Sequence, residues 1–192
     1  IIEDDYDSEY RYSAHPLPAL QSLATANQVA YLGTFSRGID PTLRMGYLVL
    51  PPQLVATYHQ RYQYRAEMVA GLLQQAMANY FEDGAYYRHL SRNRAANRQK
   101  YRVLCHQLAQ TKQIRPIATG AGVHLVVQIP GIAQAKLLEA LERQQVRIYP
   151  LNSNWRDMPT ADYYLLGFAG LTLSELTTGV KRLIQVCEQL VR

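Results

Sequence analysis

An α/β fold is predicted by three features of the sequence. Val29–Leu32 and Met45–Leu50 are short, apolar, β-prone runs flanking a polar loop, and Pro51-Pro52 stops the second. From Gln53 to Arg115 there is no proline, and apolar residues recur at helical spacing. Beyond Lys112, strand-like and helix-like patterns alternate to the end of the chain.

Ile1–Glu3 reads as the end of a strand. The chain opens inside an apolar pair with no Met and no helix cap, so the expectation is a piece of something longer. Asp4-Asp5-Tyr6-Asp7 follows at the strand's C-terminal tip, where ligands gather in α/β sheets. The same aspartates also suit a plain loop. Residues 11–26 read as a connector with a short helix near 18–23, and His15 beside Pro16 as structural.

The proline-free stretch divides at Glu82-Asp83-Gly84 into helices near 53–81 and 85–111. Val55, Tyr58, Tyr62, Met68, Leu72, Leu73, Met77 and Tyr80 form the apolar series of the first, with Tyr58, Tyr62 and Tyr64 read as core or interface. The second carries Arg88, Arg92, Arg94, Arg98, Lys100 and Arg102. Aromatic residues among basic ones suit a phosphate backbone. The charges form no narrow stripe and accompany no groove-reading motif, so a solvated cationic face is the preferred reading.

Strands follow at 114–118 and 123–129 around a turn at 119–122, then a helix at 132–144, strands at 146–149 and 163–168, and a helix at 172–191. Thr172 or Ser174 caps that helix, with Glu175 in its first turn. His124 alternates with apolar residues, as a core or cleft histidine does. The loop from Leu151 to Asp162 is long and polar, carries Asn152, Trp155, Arg156 and Asp157, and is of a kind that often bears function.

A length of 192 residues allows one ordinary domain or about one and a half small ones. The hydrophobic fraction of 48% is that of a packed globular protein. No apolar run is long enough to span a membrane, and no signal peptide is visible. The net charge of +5 permits acidic ligands or nucleic acid and demands neither. Cys105 and Cys187 lie in helical patterns without metal spacing and read as two buried thiols of a reducing cytosol.

The most informative stretch runs from Tyr31 to Tyr47. Thr34, Ser36, Arg37 and Arg44 fall between its two strands, with Gly33, Gly38 and Gly46 to let the backbone turn or approach a ligand. Hydroxyls, amides and guanidinium groups at a strand end are what a phosphate dianion needs.

Together with Glu3-Asp-Asp-Tyr-Asp-Ser-Glu-Tyr10, Gly120-Ala-Gly-Val-His-Leu-Val-Val127 and Leu165-Leu-Gly-Phe-Ala169, this stretch resembles the aminotransferase-type half of MocR-type transcriptional regulators of the GntR family. Those proteins join a DNA-binding helix-turn-helix to a fold-type-I pyridoxal 5'-phosphate (PLP) domain. The resemblance implies the C-terminal part of a fold-type-I PLP-dependent transferase. Residues 1–52 would end the large-domain sheet, 53–112 would form long linking helices, and 113–192 a small α/β domain with a mostly antiparallel sheet. It assigns Asp4 to the pyridine nitrogen of PLP, Tyr6 to the ring's phenolic oxygen, and Thr34, Ser36 and Arg44 to the phosphate. It further implies a cytoplasmic homodimer with no membrane attachment. Its effector would be a small molecule such as an amino acid or amine, and DNA would be bound only through an N-terminal domain absent from this chain.

One departure stands out. The family pattern is roughly G-T-F-S-K, whose lysine forms the Schiff base with PLP, and this chain has Gly33-Thr-Phe-Ser-Arg37. A guanidinium stays protonated and cannot form that bond. Lys100, Lys112, Lys136 and Lys181, the four lysines, all lie outside the motif. Arg37 has three open roles: filling the space of lysine and ring, pairing with Asp4, or holding an anion without a covalent bond. Related enzymes bind the substrate α-carboxylate with an arginine near the final strand, where this chain has Leu165, and Arg156 is the candidate to substitute from its loop. The expectation is an effector-sensing, dimerising domain without transamination. The alternative is a fragment or inactivated form of a PLP-dependent aminotransferase acting on amino acids.

Overall fold

The computed structural model describes residues 1–6, 8–12, 17–25, 27–66, 68–117, 120–151 and 162–191. The chain divides into two compact units, one of 1–9 with 15–94 and one of 10–14 with 95–192.

The first unit holds a three-stranded sheet in the order β1 (Ile2–Asp5), β2 (Ala30–Thr34), β3 (Gly46–Val49). β1 and β2 are parallel, with Asp5 opposite Gly33, so their C-terminal ends meet at one edge. β3 returns antiparallel, with Gly33 opposite Tyr47 and Thr34 opposite Gly46. The Glu3 carboxylate accepts from the amides of Leu20 and Gln21 at 2.7 and 2.9 Å. It thereby satisfies the open N-terminus of the short helix α1 (Leu20–Leu23).

The single helix expected over 53–81 is two, α2 (Pro52–Tyr62) and α3 (Gly71–Glu82). The apolar spacing alone does not mark the break, because Leu73 follows Tyr62 by about three turns and a continuous helix would keep Val55, Tyr58, Tyr62, Leu73, Met77 and Tyr80 on one face, with Met68 and Leu72 off it. Pro52 sits in the first turn of α2, where its missing N–H costs no helical bond. α2 and α3 bury none of their residues within this chain. Tyr58, Tyr62 and Tyr64 are exposed rather than core. The break at Glu82–Gly84 falls where expected. α4 (Ala85–Leu108) begins after Gly84, whose φ of +64° is the left-handed conformation favoured in glycine.

The division between units falls inside α4, after Arg94. Arg88, Arg92, Arg94, Arg98 and Arg102 are exposed along it, while Lys100 is half-buried and donates to the Ala169 carbonyl at 2.6 Å.

The second unit is a four-stranded antiparallel sheet, order β4 (Arg115–Ile117), β5 (His124–Gln128), β7 (Tyr163–Gly167), β6 (Tyr149–Pro150). Leu125 and Val127 of β5 face the core beside their partners Leu166 and Tyr164 of β7. Leu137 and Leu141 of α5 (Gln134–Arg143) and Leu176, Val180 and Leu183 of α6 (Leu173–Val191) complete that core. β6 starts later than the expected 146–149 because residues 144–146 close α5. Val146 donates to the Leu141 carbonyl, Gln145 takes a φ of +57°, and Arg182 donates to the Gln144 carbonyl. The Thr172 hydroxyl accepts from the Glu175 amide, and the Glu175 carboxylate accepts from the Thr172 amide and hydroxyl, a reciprocal cap on α6.

The stretch read as a connector contributes to this core. Arg11 bridges to Ala121 and Tyr12 is buried, as is Tyr10 just before the stretch. Tyr12 lies 5.1 Å from Tyr101, centroid to centroid, and its hydroxyl donates to the Gly122 carbonyl at 2.7 Å. Gly120 and Gly122, with φ of +69° and +82°, shape the turn that receives it. Cys187 is fully buried and Cys105 only half-buried, and both are free thiols. Burial pushes the Cys187 thiol up to about 12. Among the described residues no helix is long and apolar enough to cross a membrane.

Candidate anion-binding site

The candidate site lies in the first unit, at the shared C-terminal edge of β1 and β2. Strand alternation decides which aspartate is available. Asp4 pairs with Leu32, which puts Asp4 on the sheet face that Thr34 also shares, two residues on. Asp5 points to the opposite face, where its carboxylate accepts from the Tyr31 hydroxyl at 2.8 Å. Burial first, then the Asp5 and Tyr47 side chains, raise the Tyr31 phenol well above its usual value. Asp4 is exposed.

Beyond β2 the chain turns tightly. The Thr34 hydroxyl accepts from the Ser36 amide at 3.2 Å, Phe35 donates to the Met45 carbonyl at 3.0 Å, and Ile39 donates to the Phe35 carbonyl at 2.9 Å. Thr34 and Ser36 are half-buried and Arg37 is exposed. The Arg37 guanidinium carbon lies 5.6 Å from the centroid of the Tyr6 ring, a cation–π contact joining the loop to the end of β1. This contact with Tyr6 is not among the three roles open to Arg37 from the residue pattern.

Arg44 is exposed and takes the left-handed conformation, φ +48°, at the end of a 3-10 turn (Pro41–Leu43). Such a backbone is uncommon for a non-glycine residue and marks a position worth functional attention. Asp40, a possible ionic partner for it, is engaged elsewhere. It accepts from the Thr42 amide at 2.7 Å and from the Thr42 hydroxyl, and these bonds hold its carboxyl below the usual range.

A support not foreseen from the residue pattern is the aromatic bed beneath the loop. The Phe35 ring lies 5.3 Å from Tyr47, 5.6 Å from Phe81 and 6.3 Å from Tyr86, centroid to centroid. Tyr86 is buried, which pushes its phenol up to about 12, with Glu9 adding to the effect. The only signal in the sequence is aromatic density, since the pairing depends on long-range packing. Next to Phe35, a groove of about 960 Å³ opens between α2 and α3, lined by Met45, Tyr58, Tyr62, Met68 and Phe81 among others.

The four lysines all belong to the second unit. Leu165 is half-buried in β7, opposite Val126 and Tyr149. Arg156, with Asn152, Trp155 and Asp157, lies outside the described residues, as do Asp7 and His15.

The fold is that of the fold-type-I PLP aminotransferases. Kynurenine aminotransferase from Pyrococcus horikoshii superposes with a TM-score of 0.83 at 24% identity, over 100% of this chain and 48% of that one. The α-aminoadipate aminotransferase LysN from Thermus thermophilus superposes with a TM-score of 0.81 at 24% identity, over 99% of this chain and 50% of that one. In sequence the chain is similar, over nearly all of its own length, to regulators of the MocR type. It is 35% identical over 188 residues to the probable rhizopine catabolism regulatory protein MocR of Rhizobium meliloti, covering 95% of this chain and 38% of that protein. It is 32% identical over 188 residues to the HTH-type regulator YhdI of Bacillus subtilis, covering 95% of this chain and 40% of that protein. The pyridoxine biosynthesis regulator PdxR of Corynebacterium glutamicum is 30% identical over 170 residues, 88% of this chain and 37% of that protein. The chain therefore spans about 40% of the length of these curated relatives. No family model matches it.

Proposed function

We propose that this chain is the effector-sensing and dimerising domain of a transcriptional regulator, with a PLP-type site that binds without a covalent link and does not transaminate. The observation that carries this reading is Gly33-Thr-Phe-Ser-Arg37 at the joint end of β1 and β2, with Arg37 against Tyr6. The donor set fits a phosphorylated pyridine. Thr34, Ser36 and Arg44 offer hydroxyls and a guanidinium to the phosphate, Asp4 a carboxylate to the ring nitrogen, and Tyr6 a phenol to the ring oxygen. When bound, such a group supplies an electron sink. This chain's residues bind and orient it, and Arg37 offers no amine that can give up its proton to be exchanged with a substrate.

In the intact protein we place operator binding in a helix-turn-helix domain joined to this one, in a cytoplasmic homodimer that answers to an amino acid or amine. Tyr58, Tyr62, Met68 and Leu72, all exposed on or between α2 and α3, support this side of the first unit as a contact surface.

The test is a PLP titration of the intact protein and of Arg37→Lys by visible absorbance, followed by borohydride reduction and intact mass. The reading expects no adduct at this loop in the parent and one in the variant. Turnover of amino acids by the parent, or an adduct at another lysine that supports turnover, refutes it and favours the inactivated-aminotransferase alternative.

A further inference from the structure

We propose that Arg37 makes this site select its ligand by the charge carried where the related enzymes form their covalent link. A phosphorylated pyridine bearing a carboxylate there binds tightest, the aldehyde next, and the form bearing an ammonium group weakest. The inference rests on the reading above, that the site holds a phosphorylated pyridine.

A lysine that condenses with an aldehyde turns recognition into bond formation, and the aldehyde is then favoured over all other forms. Arg37 removes that term. A guanidinium stays charged at every physiological pH and presents a planar fork of N–H donors whose spacing matches a carboxylate. The contact with Tyr6, 5.6 Å from guanidinium carbon to ring centroid, orients this charge at the end of β1, beside the residue assigned to the ring oxygen. No lysine belongs to the first unit to restore an amine there.

The neighbouring charges set the sign. Arg44 is assigned to the phosphate and Asp4 to the ring nitrogen, while Asp5 faces away and is bonded by Tyr31. Arg37 is therefore the cation of this loop not assigned to another part of the ligand, the Asp40 carboxylate being held by Thr42. Replacing a neutral group beside it by a carboxylate adds an attraction, and replacing it by an ammonium group adds a repulsion. For an exposed guanidinium each step is worth a few-fold, so the ends of the series should differ by about tenfold at low ionic strength and by less as salt rises.

The experiment is equilibrium dialysis of the intact protein at low ionic strength against 4-pyridoxic acid 5'-phosphate, pyridoxal 5'-phosphate, pyridoxamine 5'-phosphate and inorganic phosphate. Arg37→Gln and Arg37→Lys are run beside it, with melting temperatures as the control for folding. The expected order is acid, aldehyde, amine, with about tenfold between first and last. Arg37→Gln should flatten the series while melting like the parent. Equal affinities, tightest binding of the amine form, or an order that survives Arg37→Gln overturns the proposal. If the parent takes none of the ligands but Arg37→Lys captures the aldehyde form in a borohydride-fixable adduct, the charge selection is wrong and the cofactor-site reading stands. If neither protein takes any of them, both fall.

Discussion

Gly46→Ala is the substitution that most directly tests how the candidate loop is built. Gly46 lies opposite Thr34 across the β2–β3 pair, and a Cβ placed on it would sit 2.7 Å from the Gly33 carbonyl oxygen. That is about 0.7 Å inside an ordinary contact, and the obstacle is backbone, so β2 and β3 must part to accommodate it. Overpacking of this kind costs about 1–3 kcal/mol. In a chain of this size each kcal/mol lowers the melting temperature by roughly 2–4 °C. Gly33→Ala is the informative comparison. Its Cβ would fall 2.2 Å from the Tyr47 ring, a shorter distance but to the outer end of a 43% exposed side chain, which can turn aside at some loss of its contact with Phe35, where backbone cannot. The harsher clash on paper should therefore be the milder mutation, and Gly33→Ala with Tyr47→Ala should recover most of its loss. Thermal unfolding by circular dichroism, with phosphate-ester binding measured alongside, provides the assay. If Gly46→Ala melts within about 1 °C of the parent, or Gly33→Ala costs more than Gly46→Ala, then the close strand approach does not set the loop.

Further outcomes are expected. Arg44→Gly relieves a left-handed backbone worth about 1 kcal/mol but gives back a similar amount in chain entropy. Stability should stay within about 0.5 kcal/mol while phosphate-ester affinity falls, and a parallel loss of both would refute the assignment of Arg44 to an anion. Tyr164→Phe removes a buried hydroxyl that has no hydrogen-bond partner among the described residues, so denaturant unfolding should show unchanged or up to about 1 kcal/mol greater stability. Thr172→Ala breaks the reciprocal cap of α6 and should cost about 1 kcal/mol by the same measurement. The bonds from Thr172 hold the Glu175 carboxyl below its ordinary value, so its contribution is complete above the ordinary carboxylate range. That contribution should fade as pH falls through the lowered value, and an acid titration of Thr172→Ala should show a shallower decline. At the other end of the scale, the Tyr86 phenol, pushed up to about 12, favours the folded state below pH 10 and ceases to do so as pH rises toward 12. Tyr86→Phe should flatten that alkaline loss in a pH series of melts.

Much of the fold around the candidate loop was legible because its signals are local. The strand–loop–strand pattern located the loop, Pro51-Pro52 marked its end, and Gly84 marked the start of α4. Thr172 and Glu175 announced their cap by spacing alone. What the sequence concealed depends on partners far along the chain. Tyr12 reads as a connector residue because nothing within ten positions tells that Tyr101 and Gly122 receive it. The break between α2 and α3 has no such local mark, since the apolar series keeps one helical face across it and no glycine or proline interrupts it before Gly71. Arg37 shows the limit most plainly. Its identity was conspicuous, yet its contact with Tyr6 depends on β1 and β2 ending together, which only the parallel register establishes.

The route of the chain through residues 10–14 has a consequence for how the protein is made. The segment 10–14 belongs to a unit otherwise built from residues 95–192, and the Tyr12 hydroxyl must find the Gly122 carbonyl across 110 positions. During synthesis Tyr10 and Tyr12 emerge before residues 95–192 and wait, without those neighbours, until that later stretch has been translated. Contacts of such long sequence separation slow folding, because the chain must close a large loop before the contact stabilises it. A ribosome pausing between these halves would leave a first unit free to form and a pair of tyrosines still seeking their place. Cutting the gene at residue 95 would not yield two autonomous halves, since the later one would lack Tyr12, whose ring packs on Tyr101 and Phe168.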